Sequence, residues 1–170
     1  NLRIAVITDA NFSDKGWGES SLNAARYIEQ KYNFSIALED NVAIPDIEMT
    51  LRKYAESEYD MIIAHGFQWG EPALHVGQTY PQSKIVVFTG LVEATNVASI
   101  FPQQQEGSFL LGALAGMMTN TSVIGFIGGE EYPNVVNIFE GYKQGAEWVN
   151  DNITIIGTYL NDWDNPARGR

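Results

Sequence analysis

Short apolar runs alternate along this chain with longer segments in which apolar residues recur every three or four positions. The runs predict buried strands, because they are short and almost free of polar residues. The predicted strands are residues 2–8, 34–38, 61–64, 84–88, 97–101, 122–127 and 153–160. Strands that alternate with helices in this way form parallel sheets with right-handed crossovers, so the chain is predicted to be an α/β protein.

The segments between the runs predict helices that begin near residues 17, 44, 71, 104 and 135. The helix over residues 104–118 has a clear apolar stripe, which predicts its buried face. That face consists of Leu110, Ala113, Leu114 and Met117. The same helix contains Gly107, Gly112 and Gly116, although glycine is a poor helix former. The three glycines therefore predict close packing against another element.

The order of the predicted elements divides the chain into two lobes. Residues 1–103 hold five strands with their helices and predict a doubly wound parallel sheet. Residues 104–121 form a crossover helix, and residues 122–170 restart the pattern with only two strands and one full helix. Because a parallel sheet is normally covered on both faces, this second α/β lobe is predicted to be incomplete. Either the sequence is a fragment or a second chain supplies the missing strands.

Composition argues against several classes of function. The net charge is −11 and lysine and arginine are not clustered, whereas a protein that binds duplex nucleic acid needs a basic surface. With no cysteine and two histidines, the chain offers few of the nitrogen and sulfur ligands that zinc prefers, so no metal site and no cofactor are expected. No run of apolar residues is long enough to span a bilayer.

A polar loop follows the first predicted strand and carries the most suggestive chemistry in the chain. Its candidate ligand-binding residues are Asp9, Asn11, Asp14 and Trp17. In an open α/β sheet, ligands bind at loops that leave the carboxyl ends of the strands. A tryptophan face stacks on a flat heteroaromatic ring, and carboxylate and amide oxygens accept hydrogen bonds from its edge. The alternative is that Asp14 caps the following helix and that Trp17 only packs.

Two further loops are predicted to reach the same edge of the sheet. Gly66 and Phe67 follow the third strand, where glycine lets the backbone approach a ligand and the rings of Phe67 and Trp69 offer walls for a pocket. The alternative is that at least one of these two aromatic residues only packs under the loop. Thr89 and Gly90 follow the fourth strand and offer a hydroxyl and an N–H group, although a plain turn is an equal alternative. His65 has little support as a catalytic base, because no nucleophile with a suitable motif accompanies it. The chain is therefore not expected to be an enzyme.

Six stretches of the sequence match one known family and together cover essentially the whole chain. They are residues 11–17, 59–67, 96–99, 105–119, 123–129 and 164–167. The most specific are the Glu-Gly-Ser helix at residues 106–108 and the Gly-Phe-Ile-Gly-Gly strand end at residues 125–129. On these motifs the chain resembles the basic membrane protein family, which comprises lipoproteins that bind purine nucleosides and related purines for ABC transporters.

The resemblance implies a type I periplasmic-binding fold, with a purine stacked between aromatic rings in the cleft between two lobes. Asn11, Asp14 and Trp17 are the best matches to the ligand-binding positions of the family, followed by the Gly66-Phe67 pair. Trp163 is a candidate for the opposing wall. Many relatives have an aspartate in place of Thr89, and its absence here argues against classical nucleoside specificity. The tryptophan and the His-Gly-Phe variant at residues 65–67 look closer to relatives that bind a free purine base such as adenine.

The resemblance also implies an extracytoplasmic protein that delivers its ligand to an ABC permease. A lipid anchor outside these residues is then the expected attachment to the membrane. The alternative is a ligand-sensing domain of a signalling protein that uses the same purine site. Family members are normally longer than this sequence, so little ligand binding is expected unless a second chain completes the cleft.

Overall fold

The structure is a computed structural model that describes residues 2–163 and 165–170, and the chain divides into two compact units at residue 101. The first unit contains five strands and three α-helices in alternation. They are β1 (Arg3–Thr8), α1 (Trp17–Tyr32), β2 (Ser35–Glu39), α2 (Ile47–Glu56), β3 (Met61–His65), α3 (Gly70–Thr79), β4 (Lys84–Phe88) and β5 (Val97–Ile100). Short 3₁₀ turns at Ile44–Asp46 and Phe67–Trp69 lead into α2 and α3. The predicted α/β class is confirmed.

The five strands form one parallel sheet in the order β2-β1-β3-β4-β5. At the end of the register, Thr8 of β1 pairs with His65 of β3, and His65 pairs with Phe88 of β4. The strand order reverses between β1 and β3. In open α/β sheets, the crevice beside such a reversal is where ligands bind.

The two faces of this sheet are covered to different extents. On the face under α2 and α3, the side chains of Leu51, Ile62, Trp69 and Ile85 are fully buried, and each contributes roughly 1.5–3 kcal/mol to stability. The spacing of Ile47, Leu51, Tyr54 and Ala55 predicts one apolar face of α2, and all four residues are buried. On the face under α1, the buried hydrophobic cluster among the described residues is smaller and consists of Ile4, Val6 and Ala25. The main core of the first unit therefore lies on the α2 and α3 side.

The second unit contains α4 (Gln104–Met118), β6 (Val123–Gly128), α5 (Pro133–Val149) and β7 (Thr154–Tyr159). Strands β6 and β7 form a two-stranded parallel sheet, as predicted, with Gly125 opposite Ile156. Helix α4, the predicted crossover helix, packs against α5 within this unit. Among the described residues, the helices are too short or too polar to cross a membrane.

Glycines bring α4 and α5 into backbone contact. A Cβ atom added to Gly112 would lie 1.9 Å from the carbonyl oxygen of Tyr142, and one added to Gly145 would lie 1.8 Å from that of Phe109. A Cβ on Gly116 would meet Val149 at 2.6 Å. The predicted close packing is therefore confirmed for Gly112 and Gly116.

For Gly107 the prediction of close packing is wrong, because a Cβ atom there would find no atom of the described residues within 4 Å. The predicted buried face of α4 is also wrong in three of its four positions. Ala113 is buried, but Leu110, Leu114 and Met117 are 68%, 52% and 74% exposed. Helix α4 turns its small residues towards α5, since only these allow so close a contact, and the large side chains then point away.

The two-stranded sheet also leaves apolar side chains in solvent. Ring contacts with Phe139 place α5 over the face that carries Phe126 and Gly157. Ile127 and Ile156 lie on the alternate face and are 64% and 62% exposed. The second unit thus leaves apolar surface uncovered on both α4 and the sheet, which agrees with the incomplete lobe that the sequence predicts.

The last ten residues are predicted to be a loop that opens a helix, but their described part forms bends and turns. Arg168 donates hydrogen bonds of 2.9 Å from its guanidinium to the carbonyl oxygens of Leu160 and Asn161, which fold this segment back on the end of β7. Asp164, the first residue of the last family-matching stretch, lies outside the described residues.

Candidate functional site

Side-chain hydrogen bonds join the loops that follow β1 and β3 at the carboxyl edge of the sheet. The Thr8 hydroxyl donates to the carbonyl oxygen of His65 at 3.0 Å and accepts from the N–H of Ala10 at 3.1 Å. Asp9 accepts a 3.0 Å hydrogen bond from the indole nitrogen of Trp69, which is fully buried. Asp9 therefore lies at the predicted edge, with its carboxylate bonded to the core.

Asn11 lies on the exposed part of the first loop, and both of its amide atoms are bonded. Its Oδ1 accepts from the N–H of Ser13 at 2.6 Å, and its Nδ2 donates to Oδ1 of Asn41 at 3.2 Å. Asp40 accepts from the N–H of Phe12 at 2.8 Å. These bonds tie the first loop to the loop after β2 and set its shape.

Asp14 caps the amino end of α1. Its carboxylate accepts from the N–H groups of Gly16, Gly18 and Glu19 at 2.8, 2.7 and 3.1 Å. Partial burial acts to raise the pKa of Asp14, but these three donors and the nearby His65 together lower it. The capping alternative is thus observed, and a role of Asp14 in ligand binding stays a prediction.

Replacing Asp14 with alanine should destabilise the first unit by about 1 kcal/mol, because three N–H groups at the end of α1 lose their acceptor. Thermal unfolding of the variant measures this effect. Asp14→Asn is the matched control, since the amide oxygen still accepts one of these bonds and should recover part of the loss. Equal loss in both variants would show that charge, and not capping, carries the effect.

Trp17, the first residue of α1, packs in a three-ring cluster with the ends of β3 and β4. The indole stacks on the imidazole of His65, with ring centroids 4.0 Å apart and planes 25° apart. The ring of Phe88 lies 5.1 Å from that of His65 and 5.7 Å from that of Trp17. Trp17 remains partly exposed, whereas only 6% of His65 is exposed. The indole of Trp17 is thus held at the sheet edge by His65 and Phe88 and remains partly open to solvent.

The imidazole of His65 is neutral near pH 7. Burial lowers its pKa to about 4, although the carbonyl of Trp17 and the carboxylate of Asp14 act to raise it. Nε2 of His65 lies 3.1 Å from the carbonyl oxygen of Trp17. Because a carbonyl oxygen only accepts hydrogen bonds, Nε2 carries the hydrogen and donates it.

Gly66 and Phe67 lie beside this cluster. Gly66 has φ +154°, and a Cβ atom there would approach Trp69 at 2.9 Å and Asp9 at 3.1 Å, so both backbone angle and space require glycine. Phe67 is half-buried and begins the 3₁₀ turn that places Trp69 in the core. Their contact with a ligand stays a prediction.

Thr89 and Gly90 are buried at the end of β4. Thr89 is 1% exposed, and its hydroxyl donates to the carbonyl of Phe88 at 2.6 Å while its N–H donates to that of Ile100 at 2.7 Å. Its φ of 64° is unusual for a β-branched residue. A Cβ on Gly90 would lie 2.7 Å from the Ser99 hydroxyl. The hydroxyl and the N–H group of Thr89 are therefore bonded within the protein, and its ligand contact also stays a prediction.

Trp163 lies in the second unit, after β7. Its indole covers Gly129, where an added Cβ atom would come within 2.2 Å of the ring, and the ring of Tyr132 lies 6.4 Å away. The side chain is 56% exposed. Both units thus have a partly exposed tryptophan shortly after a strand, Trp17 at the start of α1 and Trp163 after β7.

The sequence interpretation missed His65 and Phe88 as the residues that support Trp17. A signal for them exists, because both residues end adjacent strands and share one face of a parallel sheet. Among the described residues, the acidic and histidine side chains form no group that could hold a metal ion. The arrangement offers an aromatic plate beside carboxylate and amide groups, which is suited to binding.

Two curated proteins are similar in sequence to nearly the whole of this chain. Basic membrane protein A2 of Borrelia garinii subsp. bavariensis is 27% identical over 176 residues, which cover 99% of this chain and 51% of that protein. The putative ABC transporter glucose-binding protein TsgA13 of Haloferax volcanii is 25% identical over 99% of this chain and 44% of its own length. The chain thus spans about half the length of the curated relatives it matches.

A solved structure supports the same assignment of the fold. The solute-binding protein of an ABC transporter from Aeropyrum pernix superposes on 99% of this chain with a TM-score of 0.91 and 23% identity, and the match covers 50% of that protein. The family model described as Bmp, ABC transporter substrate-binding protein PnrA-like, matches residues 1–170. A match over the whole chain, together with these relatives, shows that the chain belongs to the Bmp family of PnrA-like substrate-binding proteins of ABC transporters.

Proposed function

We propose that this chain forms part of an extracytoplasmic binding protein that captures a purine base or purine nucleoside and delivers it to an ABC permease. The observation that carries the proposal is the partly exposed indole of Trp17, stacked on His65 beside the β1–β3 strand reversal. A fixed aromatic plate at such a crevice binds flat rings by stacking. Family membership supports the binding role, and the choice of a purine is the finer part of the proposal.

The polar groups of the ligand are proposed to meet the loop around Asp9 and Asn11. Asp9 is a carboxylate at the strand end, and Asn11 is an exposed amide. Both side chains are already oriented by bonds to Trp69, Ser13 and Asn41, so they lose little freedom when a ligand binds. Their oxygens accept hydrogen bonds, which suits the exocyclic amine of adenine.

Trp163 is proposed as a further ligand contact, through its exposed indole. The chain spans about half of its relatives, so we expect weak binding by this chain alone and stronger binding if a second chain completes the cleft. A lipid anchor outside these residues is proposed as the membrane attachment.

Titration with adenine, adenosine, guanosine and inosine tests the purine proposal, and D-glucose tests the alternative that the name of the Haloferax relative suggests. Ligand-detected NMR suits the weak affinities that we expect. Trp17→Ala should weaken purine binding by about five- to a hundredfold, because one stacked base contributes about 1–3 kcal/mol.

Trp148→Ala is the matched control, since Trp148 is 74% exposed on α5 and lies outside the proposed site. It should leave purine binding unchanged. Binding of glucose without any purine, or purine binding that Trp17→Ala does not alter, would contradict the proposal. Adenosine should also be recovered intact after incubation, as expected for a binding protein.

A further inference from the structure

We infer that His65 is the positioning residue of the ligand site: its buried imidazole holds the indole of Trp17 in one orientation. The inference rests on the proposed function for the statement that Trp17 contacts a ligand. The arrangement of the rings and hydrogen bonds belongs to the chain itself and can be tested without a ligand.

His65 contacts Trp17 at two separate points. The imidazole stacks on the indole with 4.0 Å between ring centroids, and Nε2 donates a 3.1 Å hydrogen bond to the main-chain carbonyl of Trp17. The first contact fixes the plane of the indole. The second fixes the backbone from which the indole projects. A side chain held at both its ring and its backbone has few conformations left.

The sheet in turn holds His65. It is the last residue of β3, it pairs with Thr8 and Phe88 on the two neighbouring strands, and its carbonyl accepts from the Thr8 hydroxyl. Its ring also lies against that of Phe88, with planes 21° apart. Sites supported by strands are held more precisely than sites on loops. Trp17 follows an exposed loop, so its order comes from this support.

The imidazole of His65, which supports Trp17, is also uncharged. Asp14, in the loop before α1, is the charged group that acts on His65, while the neighbouring Phe88 and Thr8 are neutral. Burial keeps the imidazole neutral at pH 7, so it places no net charge behind the indole. This environment fits a neutral flat ligand such as a purine base.

A tryptophan that is already ordered binds more tightly than one that a ligand must order. Freezing one mobile side chain typically costs about 0.5–1.5 kcal/mol, so the loss of His65 should weaken adenine binding by about two- to tenfold. The loss should appear with the contacting residue, Trp17, still in place. This result would distinguish a residue that positions Trp17 from a residue that contacts the ligand directly.

The test uses the 170-residue chain labelled with 5-fluorotryptophan, which gives one fluorine resonance for each of its four tryptophans. Trp17→Phe identifies the Trp17 resonance. His65→Ala should shift and broaden this resonance, and leave that of Trp69, the buried tryptophan of the same unit, unchanged. His65→Phe retains a stacking ring and should restore most of the line width. His75→Ala, at an exposed histidine, is the control and should change nothing.

An unchanged, narrow Trp17 resonance in His65→Ala would overturn the inference. If His65→Ala also changes the Trp69 resonance, that variant is misfolded and His65→Phe serves as the test instead. His65→Phe must alter the chemical shift of Trp17, because the hydrogen bond to the Trp17 carbonyl is lost. An unaltered shift overturns the inference. The failure of adenine to bind the unmodified chain would contradict the proposed purine site, whereas the ligand-free fluorine spectra would still decide whether His65 orders Trp17.

Discussion

Gly112→Ala should destabilise the second unit by about 3 kcal/mol, one of the largest effects expected from a single methyl group in this chain. The added Cβ atom would lie 1.9 Å from the carbonyl oxygen of Tyr142 and 2.7 Å from its carbonyl carbon. These are backbone atoms of α5, so no side chain can rotate away. The helices must separate, and the contacts along the rest of their crossing then weaken. Chemical denaturation followed by circular dichroism measures the loss.

Gly107→Ala is the matched control, because it makes the same change in the same helix where a Cβ atom has open space. Alanine is the better helix former, so this variant should be about 0.5–1 kcal/mol more stable than the unmodified chain. Opposite signs for the two substitutions would establish that the close crossing, and not helix propensity, sets the cost. Destabilisation of equal size in both would contradict the α4–α5 contact described above.

The free energy of unfolding of the first unit should fall by about 3 kcal/mol as the pH is lowered from about 7 to below 4, through His65 alone. The pKa of His65 is about 4 in the folded chain and ordinarily 6.5. Between these values the unfolded chain binds a proton that the folded chain does not. The contribution of His65 to the free energy of unfolding is therefore fully present above about pH 6.5, declines as the pH falls, and is lost below about pH 4.

Urea unfolding at a series of pH values, followed by the fluorine resonance of the buried Trp69 in the 5-fluorotryptophan-labelled chain, measures this slope. His65→Phe should flatten the curve between pH 6.5 and 4, whereas His75→Ala, at the other histidine, should retain it. Asp14 acts in a lower range, because its pKa lies below its ordinary value of 3.8. A curve that keeps its slope in His65→Phe would show that His65 is not buried as a neutral ring.

Much of the first unit follows from local patterns in the sequence. Its five strands were each predictable from a short apolar run, and the stripe Ile47, Leu51, Tyr54 and Ala55 identified the buried face of α2. These patterns are reliable because a strand buried on both faces tolerates almost no polar residue, whatever its neighbours are. The polar loop after β1 was equally visible, since its composition contrasts with the apolar run before it.

The face of α4 was not predictable in this way. Its stripe of large apolar residues predicted a buried face, but the contact with α5 is made by Gly112 and Gly116. Hydrophobicity alone favours burying leucine and methionine, whereas a contact through glycine forms where the partner helix also lets its backbone come close. That condition depends on Gly141 and Gly145 of another helix, so it is decided by the pairing of elements and not within α4.

By itself, the sequence determined the alternation of strands and helices, the parallel α/β class, the incomplete second lobe and the polar loop that precedes Trp17. Only the tertiary structure decided which residues pack against Trp17. His65 and Phe88 end two strands that are separated by α3 along the chain and adjacent in the sheet, and the packing of α1 brings Trp17 onto them. The physical reason is that local periodicity fixes which face of an element avoids water, whereas the partners of a side chain depend on the order of strands and on how closely helices approach.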